Sequence, residues 1–453
     1  MPRPRTRLHA NPQLARQRGQ ALLFGLFVLV TGLAGVFFMF NTGQLTAEKT
    51  KLVNTADAVA YSAAVMHARA LNFDAYTNRA MMANEVLVAQ LVSVSSWLEY
   101  AEEHNQRVTP LNCTNISSVP IVLVLVKYEP LCALMAWQYA QAVIQPAKQG
   151  FDAVAQGTIL ATETAKVALQ ATQTAMSAGF LPARKTLMQQ VADANYAGLG
   201  AVKVDTVPLL DNYTLFDGEP FIRRYSGNDR TRFKNVEAAA AYKDLFVSSR
   251  GWSDRSPWSC FLALPLRGNA SHTASTTLNG FDDWSARDDG KLGTEIFVVR
   301  LFSARCRSQT AYNLGDGRQS AKKTGGDWYY SGVPSFYDLS TKAFGYAPEN
   351  ADANKKENPR LQFAIRLTRG SADLRTSSGT SLVKPAGQMA IYEGAEAKSV
   401  MAAVSSSEVF FERPTARVDG KKELASLFNP YWQAHLIGNS AAVKAAALAL
   451  QNP

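Results

Sequence analysis

The hydrophobic pattern of the chain opens with one uninterrupted apolar run. Residues 21–40 read ALLFGLFVLVTGLAGVFFMF and contain no charged residue. In a helix, at about 1.5 Å per residue, such a run covers about 30 Å, the thickness of the hydrocarbon core of a bilayer. The run is long for a secretory signal, and the following Asn41–Leu45 offers no small-x-small cleavage site. We therefore predict an uncleaved transmembrane helix over residues 20–41.

The apolar run leads into a segment that favours helix throughout. Glycine and proline are both absent from Gln44 to Thr109, and alanine, leucine, methionine, glutamate and glutamine are frequent. Small residues recur at helical spacing here: Ala56, Ala60, Ala63, Ala64 and Ala68. We predict that residues 42–109 form a helical stalk that continues out of the membrane and ends at Pro110.

Residues 110–200 predict a second helical region, rich in alanine, glutamine and threonine. Breaks are expected at Pro146, Gly150 and Gly179. The run Val119–Val126 (VPIVLVLV) is too short to span a bilayer, so we interpret it as a buried strand or a short core helix.

From about residue 201 the pattern changes to short apolar or alternating runs between polar segments. Expected strands are Ile296–Ser303, Leu361–Leu367 and Val409–Phe411; expected loops are Arg250–Pro257, Thr324–Gly332 and a mobile Ala347–Asn358. We predict a β-rich domain over residues 201–435 and a C-terminal helix within 436–453. The expected fold class is α+β and membrane-anchored.

Charge decides the expected orientation and excludes one class of partner. The net charge is +10, and five of the positive charges precede the apolar run: Arg3, Arg5, Arg7, Arg16 and Arg18. The residues just after the run are mixed in sign, so the positive-inside rule predicts a cytoplasmic tail over residues 1–19, beside anionic headgroups. The rest of the chain has no dense basic patch, so no nucleic-acid partner is predicted.

The four cysteines, Cys113, Cys132, Cys260 and Cys306, show no zinc-type spacing with one another or with histidine. A sparse, even set outside the cytosol is typical of two disulfides. Neighbour pairing, Cys113–Cys132 and Cys260–Cys306, is our prediction among three connectivities, and four buried free thiols are the alternative.

Two motifs carry a family resemblance. Arg18-Gly19-Gln20-Ala21, the apolar run and the segment Asn54–Ala60 (NTADAVA, with Ala56 and Asp57) resemble the N-terminal region of TadG-like pilus-assembly proteins. The tail motif Ser426–Ala434 (SLFNPYWQA) is similar to the C-terminal end of longer members; its most distinctive residues are Phe428, Asn429, Pro430, Tyr431 and Trp432. The resemblance implies a part in the assembly of Flp (tight-adherence) pili, which are secreted adhesive fibres.

The resemblance also implies a location and the kind of partner. We expect a single-pass protein of the bacterial inner membrane with its bulk in the periplasm. Its expected partners are membrane lipid and the proteins of the pilus or secretion apparatus. Neither a cofactor nor a small-molecule substrate is predicted.

The chain differs in one feature from many TadG-like proteins and in another from cleaved prepilins. Many TadG-like proteins carry a metal site of DxSxS type, but the nearest strings here, Asp338–Lys342 and Asp283–Arg287, end in a cation. We therefore predict no such metal site. Prepilins that are cleaved after a glycine usually have glutamate five residues into the mature chain, whereas this chain has Phe24. This argues against cleavage after Gly19.

Other candidate chemistry is weak. The stretch Asp282–Gly290 contains four carboxylates that could hold Ca²⁺, but its spacing is not that of an EF-hand, and we interpret it as a solvated acidic turn. His272 and His435 have no neighbouring pattern typical of catalysis, and no hydrolase, zincin or phosphate-loop motif occurs. Asp57 is interpreted either as a docking contact for a partner helix or as part of a solvated helical turn.

Three functions remain open from the sequence. The first is a non-enzymatic structural component of the assembly apparatus, which acts by protein–protein contacts. The second is a minor pilin-like subunit cleaved after Gly19. The third is an extracytoplasmic binding module on a membrane tether.

Overall fold

The fold is taken from a computed structural model that describes residues 13–108, 125, 127–137, 139–214, 220–257, 266–301, 303–308, 312–346, 358–375 and 400–451, with side chains from Gln20 onward. The predicted Val119–Val126 element, apart from Leu125, and the predicted loop over residues 347–357 lie outside the described residues.

The molecule is built along one helix, α1 (Gln13–Val108), of 96 residues. It contains the apolar run and the glycine- and proline-free segment as one element, and it ends two residues before Pro110. The predicted long helix is therefore confirmed. It is not a free stalk, however, because side chains from Leu52 to Val108 are buried at helical spacing against the rest of the chain. This half of α1 is the spine of the core.

Two further helices follow α1: α2 (Tyr128–Met135) and α3 (Ala140–Asn195). The predicted breaks at Pro146, Gly150 and Gly179 are wrong, since α3 runs through all three and also through Pro182. Tertiary contacts outweigh these weak local signals, because α3 lies antiparallel on α1 and buried polar pairs join the two helices along their length.

The first sheet packs on the half of the α1 spine that lies nearer the apolar run. Its strands are β1 (Lys203–Val204), β2 (Leu210–Asp211), β11 (Leu361–Gly370), β12 (Val400–Phe411) and β13 (Trp432–Ile437). Their pairings are antiparallel, in the order β1-β11-β12-β13, with β2 also on β11.

The second large sheet packs further along α1. Its strands are β4 (Trp252–Arg255), β5 (Leu266–Asn279), β6 (Asp283–Arg300), β7 (Ser303–Ser308), β8 (Tyr312–Lys322) and β9 (Trp328–Tyr329). Antiparallel pairing runs from β4 to β8, whereas β9 lies parallel to β8. A smaller antiparallel pair joins β3 (Ile222–Tyr225) to β10 (Phe336–Leu339).

The β-rich region also contains helices α4 (Thr231–Ala241) and α5 (Leu245–Ser249), and the chain closes with α6 (Ala441–Gln451). Short 3-10 turns occupy Gly227–Arg230, Lys342–Tyr346 and Ser371–Asp373. The mixed α+β character and the β-rich C-terminal part are thus confirmed.

Several local predictions in this region need correction. The run Ile296–Ser303 is not one strand, because β6 ends at Arg300 and the chain turns back into β7 at Ser303. The expected loop Arg250–Pro257 contains β4, and Thr324–Gly332 contains β9. Leu361–Leu367 and Val409–Phe411 do lie in strands, β11 and β12. The strands β4 and β9 could not be recognised from the local pattern, because they are short and made mostly of polar residues and aromatics.

Most of the acidic stretch Asp282–Gly290 is strand rather than solvated turn, since β6 begins at Asp283 and Asp282 alone lies in the preceding turn. Along β6, burial alternates from Trp284 through Ala286, Asp288 and Gly290 to Leu292. This is the period-two pattern of a sheet with one covered face. Asp288 lies in the buried row and interrupts the alternation of apolar and polar residues, so the sequence does not show this strand.

Glycines let α1 lie directly on the second sheet. A Cβ added at Gly317 would lie 2.0 Å from the backbone oxygen of Ser96, and one at Gly290 would lie 2.6 Å from Tyr100 Cε2. Gly315 has φ +131° and faces the same helix. Any side chain at these positions would push the helix off the sheet.

Candidate functional site

The apolar run presents its side chains outward. Phe24 is 71% exposed and Met39 is 77% exposed, and this part of the helix has no protein packed around most of it. In the described part of the chain, one helix is long and apolar enough to cross a membrane, and its apolar window is this unburied stretch. A large continuous apolar surface of this kind is typical of a site that contacts lipid or another protein. Gln20 and Ala21 begin it, also exposed, whereas Arg18 and Gly19 are described only as helix backbone.

The NTADAVA motif lies where α1 enters the folded body. Ala56 and Ala60 are fully buried in a cluster with Phe363 and Met401 of the first sheet. Asp57 is half-buried, and its Oδ1 accepts a hydrogen bond from Ser405 Oγ on β12 at 2.6 Å. The motif therefore makes contacts within the chain through Ala56, Asp57 and Ala60, while Asn54 remains exposed. The two interpretations of Asp57 made from the sequence stay predictions.

The tail motif is docked on the same helix, further from the apolar run. The Asn72 side chain pairs with both backbone groups of Trp432: the Trp432 N–H donates to Oδ1 at 3.0 Å and Nδ2 donates to the Trp432 oxygen at 2.9 Å. Arg79 Nη2 donates to Asn429 Oδ1 at 2.7 Å. Phe428 and Trp432 are buried, whereas Pro430 and Tyr431 are half-buried. The two family motifs are thus brought together along α1, which sequence reasoning did not foresee.

Two buried acids lie beneath the tail motif. Asp338 Oδ1 accepts the Leu427 N–H at 3.0 Å, and Asp338 Oδ2 lies 2.7 Å from Arg232 Nη1. Asp74 on α1 is buried, and neither of its carboxyl oxygens has a hydrogen-bond partner among the described residues. Burial, and secondarily the charge of Asp338, raises the pKa of Asp74 to about 8. Asp74 is therefore mostly protonated at neutral pH.

A second buried network joins α1 to the second sheet around Asp288. Its carboxylate accepts two hydrogen bonds from Arg250, at 2.8 Å and 2.6 Å, one from Ser96 at 2.6 Å, and one from His272 Nε2 at 2.9 Å. Burial alone would raise the pKa of Asp288, but the bonds from His272 and Arg250 outweigh it and lower the pKa. The His272 ring stacks on Tyr100, 4.2 Å between centroids. This arrangement ties elements together and leaves no carboxylate open to a cation.

A third buried network sits between α1 and α3. Lys166 Nζ donates to Glu163 at 2.7 Å, to Glu85 at 3.0 Å and to the Gly332 oxygen at 2.8 Å. Glu237 accepts from Trp284 Nε1 at 3.1 Å. Burial, followed by the charge of Glu85, raises the pKa of Glu237 well above its usual range. Within the described residues, no group of three or more His, Cys, Asp and Glu side chains is placed to hold a metal ion.

These networks leave the outer surface of α3 uncharged over residues 153–183. Glu163 and Lys166 are the charged residues between residues 153 and 183, and both point into the core. The exposed positions carry alanine, glycine and threonine, together with larger apolar side chains. We call this surface the outer face of α3; its large apolar members are Val143, Val154, Leu160, Val167 and Leu181. Surface helices normally carry charge outward, so this inverted arrangement marks a surface suited to contact with another protein.

Sequence reasoning missed the outer face of α3, although a signal was present. Glu163 and Lys166 are three residues apart, so they share one side of a helix, and the other positions for 31 residues are uncharged. Taken by itself, the composition of this segment predicts only a helical region.

The remaining predicted residues are not brought into one site. Cys132 is fully buried on α2 and Cys306 is half-buried on β7, and neither is a free thiol. Cys113 and Cys260 lie outside the described residues, so the pairing stays a prediction. His435 is exposed on β13, beside Glu408 at 3.4 Å.

Comparison with known proteins adds one family. Residues 19–66 match the family model described as putative Flp pilus-assembly TadE/G-like. Searches of curated proteins and of solved structures gave no match. The matched segment is about a tenth of the chain and contains the apolar run and the NTADAVA motif, so the resemblance inferred from the sequence is confirmed there. The membrane-crossing candidate and the buried motif that follows it are thus the part of the chain that is similar to TadE/G-like Flp pilus-assembly proteins.

Proposed function

We propose that this chain is a membrane-anchored structural component of a Flp pilus or related secretion apparatus, and that it acts by protein–protein contacts rather than by catalysis. The match over residues 19–66 carries the proposal. The exposed apolar run supports membrane anchoring.

The orientation follows from charge. Five arginines precede the apolar run and favour a cytoplasmic N-terminus in the bacterial inner membrane. The folded body then lies in the periplasm, an oxidising compartment in which disulfides of Cys113 with Cys132 and of Cys260 with Cys306 would persist.

The outer face of α3 is the surface we assign to the partner, which is a pilus or secretion-apparatus protein. It is helical, uncharged over residues 153–183, and rich in small side chains that permit close approach of another helix. Open space surrounds Gly150, Gly157 and Gly179 on this helix.

One substitution tests this assignment. Val167 is 63% exposed, so Val167→Glu should leave the free energy of unfolding within about 0.5 kcal/mol of the wild type. It should nevertheless abolish surface fibres, because a buried, unpaired carboxylate in the contact opposes docking. Val418→Glu, at a fully exposed loop valine, is the matched control and should assemble fibres normally.

A photo-crosslinking residue at position 167 identifies the partner in intact cells. Capture of a pilus subunit or secretion-apparatus protein at 167, but not at 418, is the expected result. Normal fibres in cells that carry Val167→Glu would refute the role of this face, and normal fibres after deletion of the gene would refute the function itself.

A minor pilin-like subunit is the second candidate, favoured by the Arg18-Gly19 junction and the apolar helix behind it. Phe24 in place of glutamate weighs against it. The mass of the mature N-terminal peptide distinguishes the two candidates. A chain that begins at Gln20 supports the pilin-like subunit, and an intact N-terminal tail (residues 1–19) excludes it.

A further inference from the structure

A groove opens between α1 and the C-terminal helix α6, close to the end of the apolar run. Its volume is about 780 Å³, within the range of small-molecule sites. Its lining is largely apolar, and the apolar side chains come from three elements: Leu45 of α1, Val400 and Met401 of β12, and Leu448 of α6. Gln451 fixes α6 in place, since its Nε2 donates to the Val400 oxygen at 3.1 Å.

The position of the groove along α1 sets its depth relative to a bilayer. Leu45 follows Phe40, the last residue of the apolar run, by about 8 Å of helix. The headgroup layer adds about 5–8 Å to each side of the hydrocarbon core. If α1 crosses the membrane, as the proposed function holds, the groove begins at the level of the lipid headgroups.

The charges at the groove are positive and incompletely neutralised. Lys49, Arg366 and Lys444 line it, and none of the described residues that line it carries a carboxylate. Arg366 is neutralised by Asp205 at 2.9 Å. Lys49 donates a hydrogen bond to the Ala402 oxygen, and within the described residues neither lysine forms an ion pair.

A ligand that fits these observations has one anionic group and an apolar tail. Burial lowers the pKa of Lys49, so a phosphate beside it would restore its preference for the charged form. Leu448 is 61% exposed on the rim. An acyl chain would cover this side chain, whereas a free phosphate would leave it in water.

We propose that this groove binds one anionic glycerophospholipid of the surrounding membrane. Its headgroup phosphate lies between Lys444 and Lys49, and one acyl chain lies against Leu45, Met401 and Leu448. A zwitterionic lipid is disfavoured because its own ammonium group would meet two unpaired lysines. The bound lipid would fix the body at a set height above the bilayer.

Native mass spectrometry of the purified full-length protein tests the proposal. The protein in mild detergent is titrated with dioleoyl phosphatidylglycerol or with dioleoyl phosphatidylcholine. We expect one bound phosphatidylglycerol, at a concentration at least about fivefold lower than phosphatidylcholine requires. Lys444→Glu should remove the preference, whereas Lys291→Glu, at an exposed lysine of β6, should keep it.

The controls separate this inference from the proposed function. Equal binding of both lipids by the wild type, or an unchanged preference in Lys444→Glu, would overturn the lipid site. If Lys444→Glu lowers the unfolding temperature, Lys444→Gln provides the same comparison without adding a carboxylate. Extraction of native membranes with alkaline carbonate tests anchoring separately. A protein that stays in the membrane but shows no preference refutes the groove alone.

Discussion

At the scale of single residues, buried ionisable groups decide how the molecule holds together. Asp74 on α1 and Asp288 on β6 are both fully buried, but the groups that surround the two carboxyls are opposite in kind. Within the part of the chain that the structure describes, Asp74 has an acidic neighbour and no hydrogen-bond partner. Asp288, in contrast, accepts hydrogen bonds from a guanidinium, an imidazole and a hydroxyl. The sequence does not distinguish these two environments, because the residues that surround each aspartate come from distant parts of the chain.

These two aspartates should respond oppositely to neutralisation. The folded pKa of Asp74 is about 8, above its unfolded value of 3.8, so its contribution to stability falls as pH rises from about 4 to 8. Asp74→Asn should therefore raise the free energy of unfolding, on the order of 5 kcal/mol at pH 8 and less at pH 5. Thermal unfolding in detergent at both pH values measures it.

Asp288→Asn is the counterpart. It leaves Arg250 buried without its counter-ion and should cost about 3–5 kcal/mol at neutral pH. In the wild type, the ionised Asp288 carboxylate stabilises the fold above its unfolded pKa of 3.8. This stabilisation is lost as the pH falls below that value. Equal effects of the two substitutions would contradict the assigned protonation states.

Gly317 limits how closely α1 can approach the second sheet. Gly317→Ala should cost about 2–4 kcal/mol, because the new methyl group meets the Ser96 backbone oxygen. Gly179→Ala is the control: it is in a helix with open space around it and should stabilise the fold by about 0.5–1 kcal/mol. Urea denaturation of both variants gives the comparison, and a neutral Gly317→Ala would refute the close contact.

At the scale of elements, α1 acts as the surface on which the two sheets and α3 assemble. The small residues of the NTADAVA motif permit close packing of the first sheet, and asparagines further along bond to the returning tail. The elements themselves follow from periodicity. The partner of each element does not, because pairing joins residues several hundred positions apart.

Asn72, which bonds to the returning tail, and Asn54, which is exposed, give a matched pair of substitutions on α1. Asn72→Ala removes both side-chain bonds to the Trp432 backbone and should cost about 1–3 kcal/mol. It should also speed hydrogen exchange in β13. Asn54 is exposed, so Asn54→Ala should change stability by less than about 0.5 kcal/mol. Unchanged exchange in Asn72→Ala would show that the tail is held by its apolar side chains alone.

At the scale of the whole molecule, α1 joins a membrane-crossing candidate to a folded body without a linker. A rigid continuation of this kind would transmit the position of the anchor directly to the outer face of α3. The proposed single pass predicts that a C-terminal alkaline phosphatase fusion is active and that a C-terminal fluorescent reporter requiring the cytosol is dark. The opposite pair of results would reverse the proposed topology.

The sequence alone determined the apolar run, the length of α1, the β-rich second half and the C-terminal helix. Each rests on local composition or periodicity, which acts over a few turns of chain. The tertiary structure decided the rest: that the stalk is a core spine, that Asp283–Gly290 lies in a strand, and that α3 passes through Pro146 and Gly179. These outcomes depend on partners such as Arg250 for Asp288 and Glu85 for Lys166, which are distant in the chain and become neighbours only when it folds.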